Sequence, residues 1–130
     1  MADRWPDFTP VHLLTGFLGS GKTTLLQRLL ADPALGDTAV LINEFGEVGL
    51  DHHLLGRIDE TMVLLQSGCL CCTIRGELSL AIRELLSKRE RGLVPAFRRL
   101  VVESSGLAVR IKRQRVIVIE RIVRIRRMLL

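Results

Sequence analysis

Two short stretches and one isolated acid carry the residue types from which chemistry is built. The run Gly16-Phe17-Leu18-Gly19-Ser20-Gly21-Lys22-Thr23 fits the pattern G-x-x-x-x-G-K-[ST]. Glycines at those positions let the backbone curl so that successive amides point inward at phosphate oxygens, and the start of a helix adds its partial positive charge there. Gly19, Ser20, Gly21, Lys22, Thr23 and Thr24 form the candidate nucleotide cradle. Lys22 is placed to reach the β- and γ-phosphates, and the Thr23 hydroxyl to hold Mg²⁺. The competing reading is a glycine-rich turn that binds nothing. Glu103 is followed by Ser104-Ser105-Gly106. An acid at a strand end can accept a hydrogen bond from a Mg²⁺-bound water, and Gly106 can offer its N–H to a γ-phosphate. Taken alone, Glu103 would be an ordinary strand-end acid; beside a phosphate loop it pairs with Lys22 as the candidate catalytic set.

The second stretch, Gly68-Cys69-Leu70-Cys71-Cys72, puts three thiols within four residues. In an extended segment Cys69 and Cys71 point to one side, and a turn would be needed to bring in Cys72. Thiolates select soft cations such as Zn²⁺ or Cu(I), and a four-coordinate site would want one further ligand from water, a histidine or a partner. Buried structural cysteines and a redox pair are the alternatives. His12, inside an apolar run, reads as a core histidine; His52 and His53 read as packing or solvent-exposed residues, with approach to the metal as the less favoured role.

The elements that must position these groups follow from periodicity. Val11–Thr15, Ala39–Ile42, Met62–Leu65 and Leu100–Val102 read as short buried strands. Leu25, Leu26, Leu29 and Leu30 define a helix from Lys22 that Pro33 stops. Leu78, Ala81, Ile82, Leu85 and Leu86 define a second helix, ended by Gly92. The cysteines fall in the segment after the third strand, and Asn43–Asp51 is a loop rich in glycine and acids. Strands alternating with helices predict an α/β fold with a mostly parallel sheet of about four strands flanked by helices.

With 130 residues, 48% hydrophobic and 25% charged, the chain fits one globular domain or part of one. No apolar run approaches the ~18 residues of a membrane span, and the opening residues lack the apolar stretch of a secretory signal. Three clustered cysteines make no disulfide framework, so the default compartment is the reducing cytoplasm. The formal charge of +5 would ordinarily suggest nucleic acid or an anionic membrane, but basic residues crowd into positions 110–130, where Glu120 is the lone acid. The preceding body is slightly acidic, and the tail offers no aromatic platform for base stacking. Neither nucleic acid nor membrane is the expected partner.

These motifs together resemble the CobW family of metallochaperone GTPases (the CobW/HypB/UreG type of P-loop nucleotide-binding domain). Pro10 to Leu26 looks like its phosphate loop, and Asn43-Glu44-Phe45-Gly46-Glu47-Val48-Gly49 with Asp51-His52 is similar to the segment after its second strand. Gly68-Cys69-Leu70-Cys71-Cys72 matches its C-x-C-C signature, and Glu103-Ser104-Ser105-Gly106-Leu107-Ala108 its E-x-x-G motif. The resemblance implies a P-loop NTPase fold and binding of GTP and Mg²⁺. It also implies Zn²⁺ or Co²⁺ on Cys69, Cys71 and Cys72, and delivery to a client metalloprotein or metal-inserting enzyme. Asn43–Gly49 is the candidate switch between nucleotide and metal. After Ala108 the resemblance stops, and the N-K-x-D motif that reads guanine is absent. Residues 1–108 are therefore expected to be the N-terminal part of the GTPase domain. Residues 109–130 are expected to be a basic tail outside the family pattern, either an accidental extension or a basic helix with Val118, Ile122, Ile125 and Leu129 on one side. Rival readings are a small P-loop ATPase or kinase without a metal, and a non-functional fragment.

Overall fold

The computed structural model describes residues 8–16, 21–105 and 118–126. Their strands form one sheet: β1 (Phe8–Gly16), β2 (Thr38–Ile42), β3 (Leu54–Asp59), β4 (Met62–Leu65), β5 (Leu70–Thr73), β6 (Arg99–Ser105) and β7 (Val118–Arg126), in the order β3-β4-β5-β2-β6-β1-β7. The four central strands β5, β2, β6 and β1 are parallel. β4 pairs antiparallel with β5, β3 with β4, and β7 with β1. The sequence thus anticipates a mostly parallel α/β sheet, and the structure corrects its membership. Met62–Leu65 is an antiparallel strand, and the fourth parallel strand is the cysteine segment itself. Leu70-Cys71-Cys72 is a run of buried residues, and a cysteine thiol packs as a small apolar group.

Helix α1 (Lys22–Ala31) buries Leu26 and Leu30 against one face of the sheet, each stabilising the fold by roughly 1.5–3 kcal/mol. It ends where Asp32 turns extended ahead of Pro33. The Asp32 carboxylate then accepts the Ala34 amide at 2.9 Å and caps the short 3-10 turn Pro33–Leu35. Helix α2 (Leu78–Glu90) covers the opposite face with Leu85, Ile82 and Leu86. Lys88 and Arg89 in its last turn complement the helix dipole. The core is therefore two layers divided by the sheet. Leu14, Val40, Ile42 and Val101 face α1, while Val11, Ala39, Leu41, Leu100 and Val102 face α2.

The β3–β4 hairpin, which the periodicity does not reveal, is tied at its turn by Asp59. Its carboxylate accepts the Thr61 amide at 2.7 Å and hydroxyl at 2.8 Å, and pairs with Lys88 at 3.3 Å. Burial pushes the Asp59 carboxyl upward, but these donors and the Lys88 charge together hold it below its ordinary value. Within the tail, the helical alternative is corrected: Val118–Arg126 is a strand that runs along β1 from Thr15 to Phe8. Residues 109–117 and 127–130 lie outside the described residues.

Candidate functional site

The candidate nucleotide side of the site is built at the carboxyl ends of β1 and β6. Gly21 holds a left-handed φ of 93°, which a side chain would strain, and α1 starts at Lys22 immediately after it. Among the described residues no side chain caps this helix, and its first turn carries no acid to offset the positive end of its dipole. Thr23 and Thr24 follow in that turn and are exposed. Gly19, Ser20 and Gly106 lie outside the described residues. Glu103 sits opposite Leu14 in the β1–β6 register. Its side chain is 2% exposed, and its Oε1 lies 2.5 Å from the Lys22 Nζ. The contact is a close ion pair without the alignment of a good hydrogen bond.

The structure also adds a residue whose role the sequence does not give. Asn43, one position beyond β2, donates its amide to Glu103 Oε2 at 3.5 Å. One residue back, the Ile42 carbonyl accepts the Ile74 amide at 2.7 Å, just beyond β5. The segment from Asn43 to Gly49 forms a 3-10 turn over Phe45–Glu47 and leads into Gly49 at φ 60°. Gln27 of α1 donates to the Val48 carbonyl at 3.4 Å, so the helix that follows the phosphate loop also touches this segment. Asn43 at the start of a glycine-rich loop was the available signal; the partners of Asn43 and Val48, 60 and 21 residues away, were not.

The cysteines do not gather. Cys71 and Cys72 lie within β5, and strand alternation sends them to opposite sides: Cys71 packs with the α1 layer and Cys72 with the α2 layer. Cys69 precedes the strand, at the amino edge of the sheet, and its thiol donates to the Leu35 carbonyl at 3.1 Å. The expectation that a turn after the third predicted strand brings Cys72 to the side of Cys69 and Cys71 is corrected accordingly. All three are free thiols and buried. Burial pushes each of them up: Cys69 above its ordinary value, Cys72 to about 12 with Asp59 adding to the effect, and Cys71 further still. Among the described residues no group of three or more His, Cys, Asp or Glu side chains converges to hold a metal. His12 lines an apolar cavity of about 210 Å³ under α1 with Leu14, Leu25, Leu29 and Val101. His52 is exposed and His53 half-buried.

A thiol reacts as its thiolate, so these cysteines should be nearly inert to a disulfide reagent at pH 8 in the folded protein and reactive in urea. Because the folded protein favours the protonated thiols, their contribution to stability is complete below the unfolded thiol value near 9 and fades as pH rises toward about 12. Stability to urea should decline above pH 9. Rapid labelling of the folded protein at pH 8 would show that the strand is not closed in solution.

A sequence profile of the CobW/HypB/UreG nucleotide-binding domain matches residues 10–124, past Ala108, where the individual motifs end. The zinc chaperone YjiA of Escherichia coli is 45% identical over 98 residues, covering 75% of this chain and 30% of that protein. The zinc chaperone CobW of Pseudomonas aeruginosa is 39% identical over 113 residues, covering 77% and 28%. A zinc-bound crystal structure of the YjiA GTPase superposes with a TM-score of 0.58 at 44% identity, covering 76% of this chain and 31% of that one. The chain spans about 30% of the length of YjiA. Among the described residues no helix is long and apolar enough to cross a membrane.

Proposed function

The chain belongs to the CobW/HypB/UreG nucleotide-binding domain family, and on that premise we propose that it binds GTP and Mg²⁺ and couples that binding, and hydrolysis, to handling of zinc. The observation that carries the reading is the buried carboxylate of Glu103 held against Lys22 where a glycine turn opens α1. That placement suits Lys22 to neutralise the terminal phosphates, and the amides from Gly19 to Thr24 and that of Gly106 would be the further donors to them. Thr23 and Glu103 would hold Mg²⁺, directly and through water, and the ion when bound would offset charge on the phosphates. Electrostatic stabilisation by Lys22 is its share of any hydrolysis.

Zinc, or cobalt in its place, is the cargo rather than a resident group. Its proposed ligands are Cys71 and Cys72, joined by Cys69 once that thiol leaves the Leu35 carbonyl. The thiols as they stand in the sheet do not present such a set, so uptake requires β5 to open. Asn43 and the Ile42–Ile74 hydrogen bond lie between Glu103 and the end of β5, which supports Asn43–Gly49 as the switch. Zinc-chaperone relatives support this cargo; the client would be a metalloprotein or a metal-inserting enzyme. Reduced thiols favour the cytoplasm as the compartment.

Lys22→Ala should lower GTP affinity about 10- to 100-fold, the loss of a charge-assisted contact of ~1.5–3 kcal/mol. Calorimetry on the folded variant checks this, and unchanged affinity would remove the phosphate site.

A further inference from the structure

Helix α1 leaves a gap between itself and the sheet. Leu25 and Leu29 on the helix, with Leu14 on β1 and Val101 on β6, line the cavity of about 210 Å³ there. The polar residues along it are His12, Thr38 and Arg99. Thr38 opens β2 and pairs in register with Arg99. Strand alternation turns it to the face that Val40 shares with α1. The residue is 2% exposed, and its hydroxyl is buried with no hydrogen-bond partner among the described residues. We infer that this cavity binds a small neutral amphiphile: one ring, or a short branched chain, that carries a single hydroxyl. None of these residues belongs to the candidate nucleotide or metal set.

Two features of the cavity set that chemistry. Its aliphatic walls favour an apolar body, because atoms that line a gap forfeit dispersion contacts which a ligand supplies. An apolar cavity of ~150 Å³ already takes a benzene ring, so about 210 Å³ holds a ring with one or two small substituents. The Thr38 hydroxyl sets the polar end. A buried hydroxyl without a partner is costly, and it can donate to a ligand hydroxyl or accept from one. Charge is disfavoured. Arg99 is the permanent cation along the wall, and its Nη2 already lies 3.2 and 3.3 Å from the two Asp37 carboxylate oxygens. An anion would lose its hydration against leucine and compete with Asp37 for that counter-charge. A hydrocarbon fills the space but leaves Thr38 unpartnered, whereas a ligand with one hydroxyl answers both needs. Because Leu25 and Leu29 belong to the helix that starts at Lys22, the bound amphiphile braces that helix against the sheet.

The probe is p-cresol, compared with p-xylene, in which a methyl replaces the hydroxyl. Calorimetry on the whole chain should show saturable binding of p-cresol, and the ligand should raise the urea midpoint. Thr38→Val keeps the shape of the side chain and removes its hydroxyl. It should shift the ratio of p-cresol to p-xylene affinity about 10-fold toward p-xylene. Leu29→Trp, which fills the gap from the helix side, should weaken both ligands at least ~10-fold; Leu25→Phe serves where that variant does not fold. Saturating GTP with Mg²⁺ should leave p-cresol bound. Absence of saturable p-cresol binding to the native protein overturns the site. An unchanged ratio in Thr38→Val overturns it too, since binding would then follow apolar area alone. Undiminished binding to the filled variant would place the ligand elsewhere, and displacement by GTP would merge the cavity with the nucleotide site. A p-cresol affinity that falls as protein concentration rises would mean that a second copy covers the gap. Each of these three results also overturns the proposal.

Discussion

Replacing Lys22 with alanine should destabilise the nucleotide-free protein by ~3–5 kcal/mol, a large share of the stability of a domain this size. The effect comes from what is left behind. Glu103 is 2% exposed in a strand that lies between β1 and β2, so it cannot swing to solvent when its cation is removed. The Asn43 amide, at 3.5 Å, is too long a hydrogen bond to replace a full charge. Adding Glu103→Gln to Lys22→Ala should recover most of the loss, because a neutral amide has far less to lose by burial. Glu103→Gln alone should be milder, since Lys22 retains a path to water. Urea unfolding of the three variants makes a double-mutant cycle. A loss below ~1 kcal/mol in Lys22→Ala would mean that the pair behaves as a solvated surface ion pair.

Gly36→Ala should be comparably damaging for a different reason. A Cβ at position 36 would stand 2.3 Å from the Ser67 carbonyl oxygen and 3.2 Å from that of Pro33, and both neighbours are backbone. The turn it meets has little room to yield. Ser67 donates its hydroxyl to the Leu30 carbonyl at 2.6 Å, the Leu65 amide reaches the Cys69 carbonyl at 2.9 Å, and Gly68 is already at φ 95°. Overpacking of this kind costs ~1–3 kcal/mol, and contact with backbone on two sides places this site at or above the upper end. Since the turn delivers the chain to Cys69, thiol labelling should accelerate in step with the loss of stability. Gly46→Ala, where an added Cβ meets nothing within 4 Å, is the control and should stay within ~0.5 kcal/mol. Equal stability of the two variants would mean that the turn moves aside freely.

The parallel centre of the sheet was legible because β1, β2 and β6 are short apolar runs bounded by turn residues, and α1 and α2 repeat leucine at helical spacing. β3 was not, because Leu54-Leu55-Gly56-Arg57-Ile58-Asp59 alternates poorly; its pairing with β4 carries two register shifts, and most of its residues are exposed. β5 was missed because its cysteines suggested ligands before they suggested a strand. β7 was read as an accidental extension, with a helix as the alternative, although its branched residues fit a strand as well. At the site, Lys22 and Glu103 were named from motifs alone, but that they would hold one another was not visible, since their pairing depends on β1 and β6 lying side by side. The same limit hid the Asn43 and Gln27 contacts.

Neighbouring residues on a strand occupy opposite sides of a sheet, and that parity bears on how zinc would come and go. Two sulfurs on one zinc, each about 2.3 Å from it, must approach within about 4 Å of each other. Cys71 and Cys72 cannot do so while β5 stays between β2 and β4. Loading the ion would then be an act of local unfolding, and the apparent affinity would be the intrinsic one reduced by the fraction of molecules with the strand unzipped. Unloading would be the reverse, driven by the sheet closing on itself. With Cys71 and Cys72 as ligands, the backbone ladder would act as a spring set against the ion.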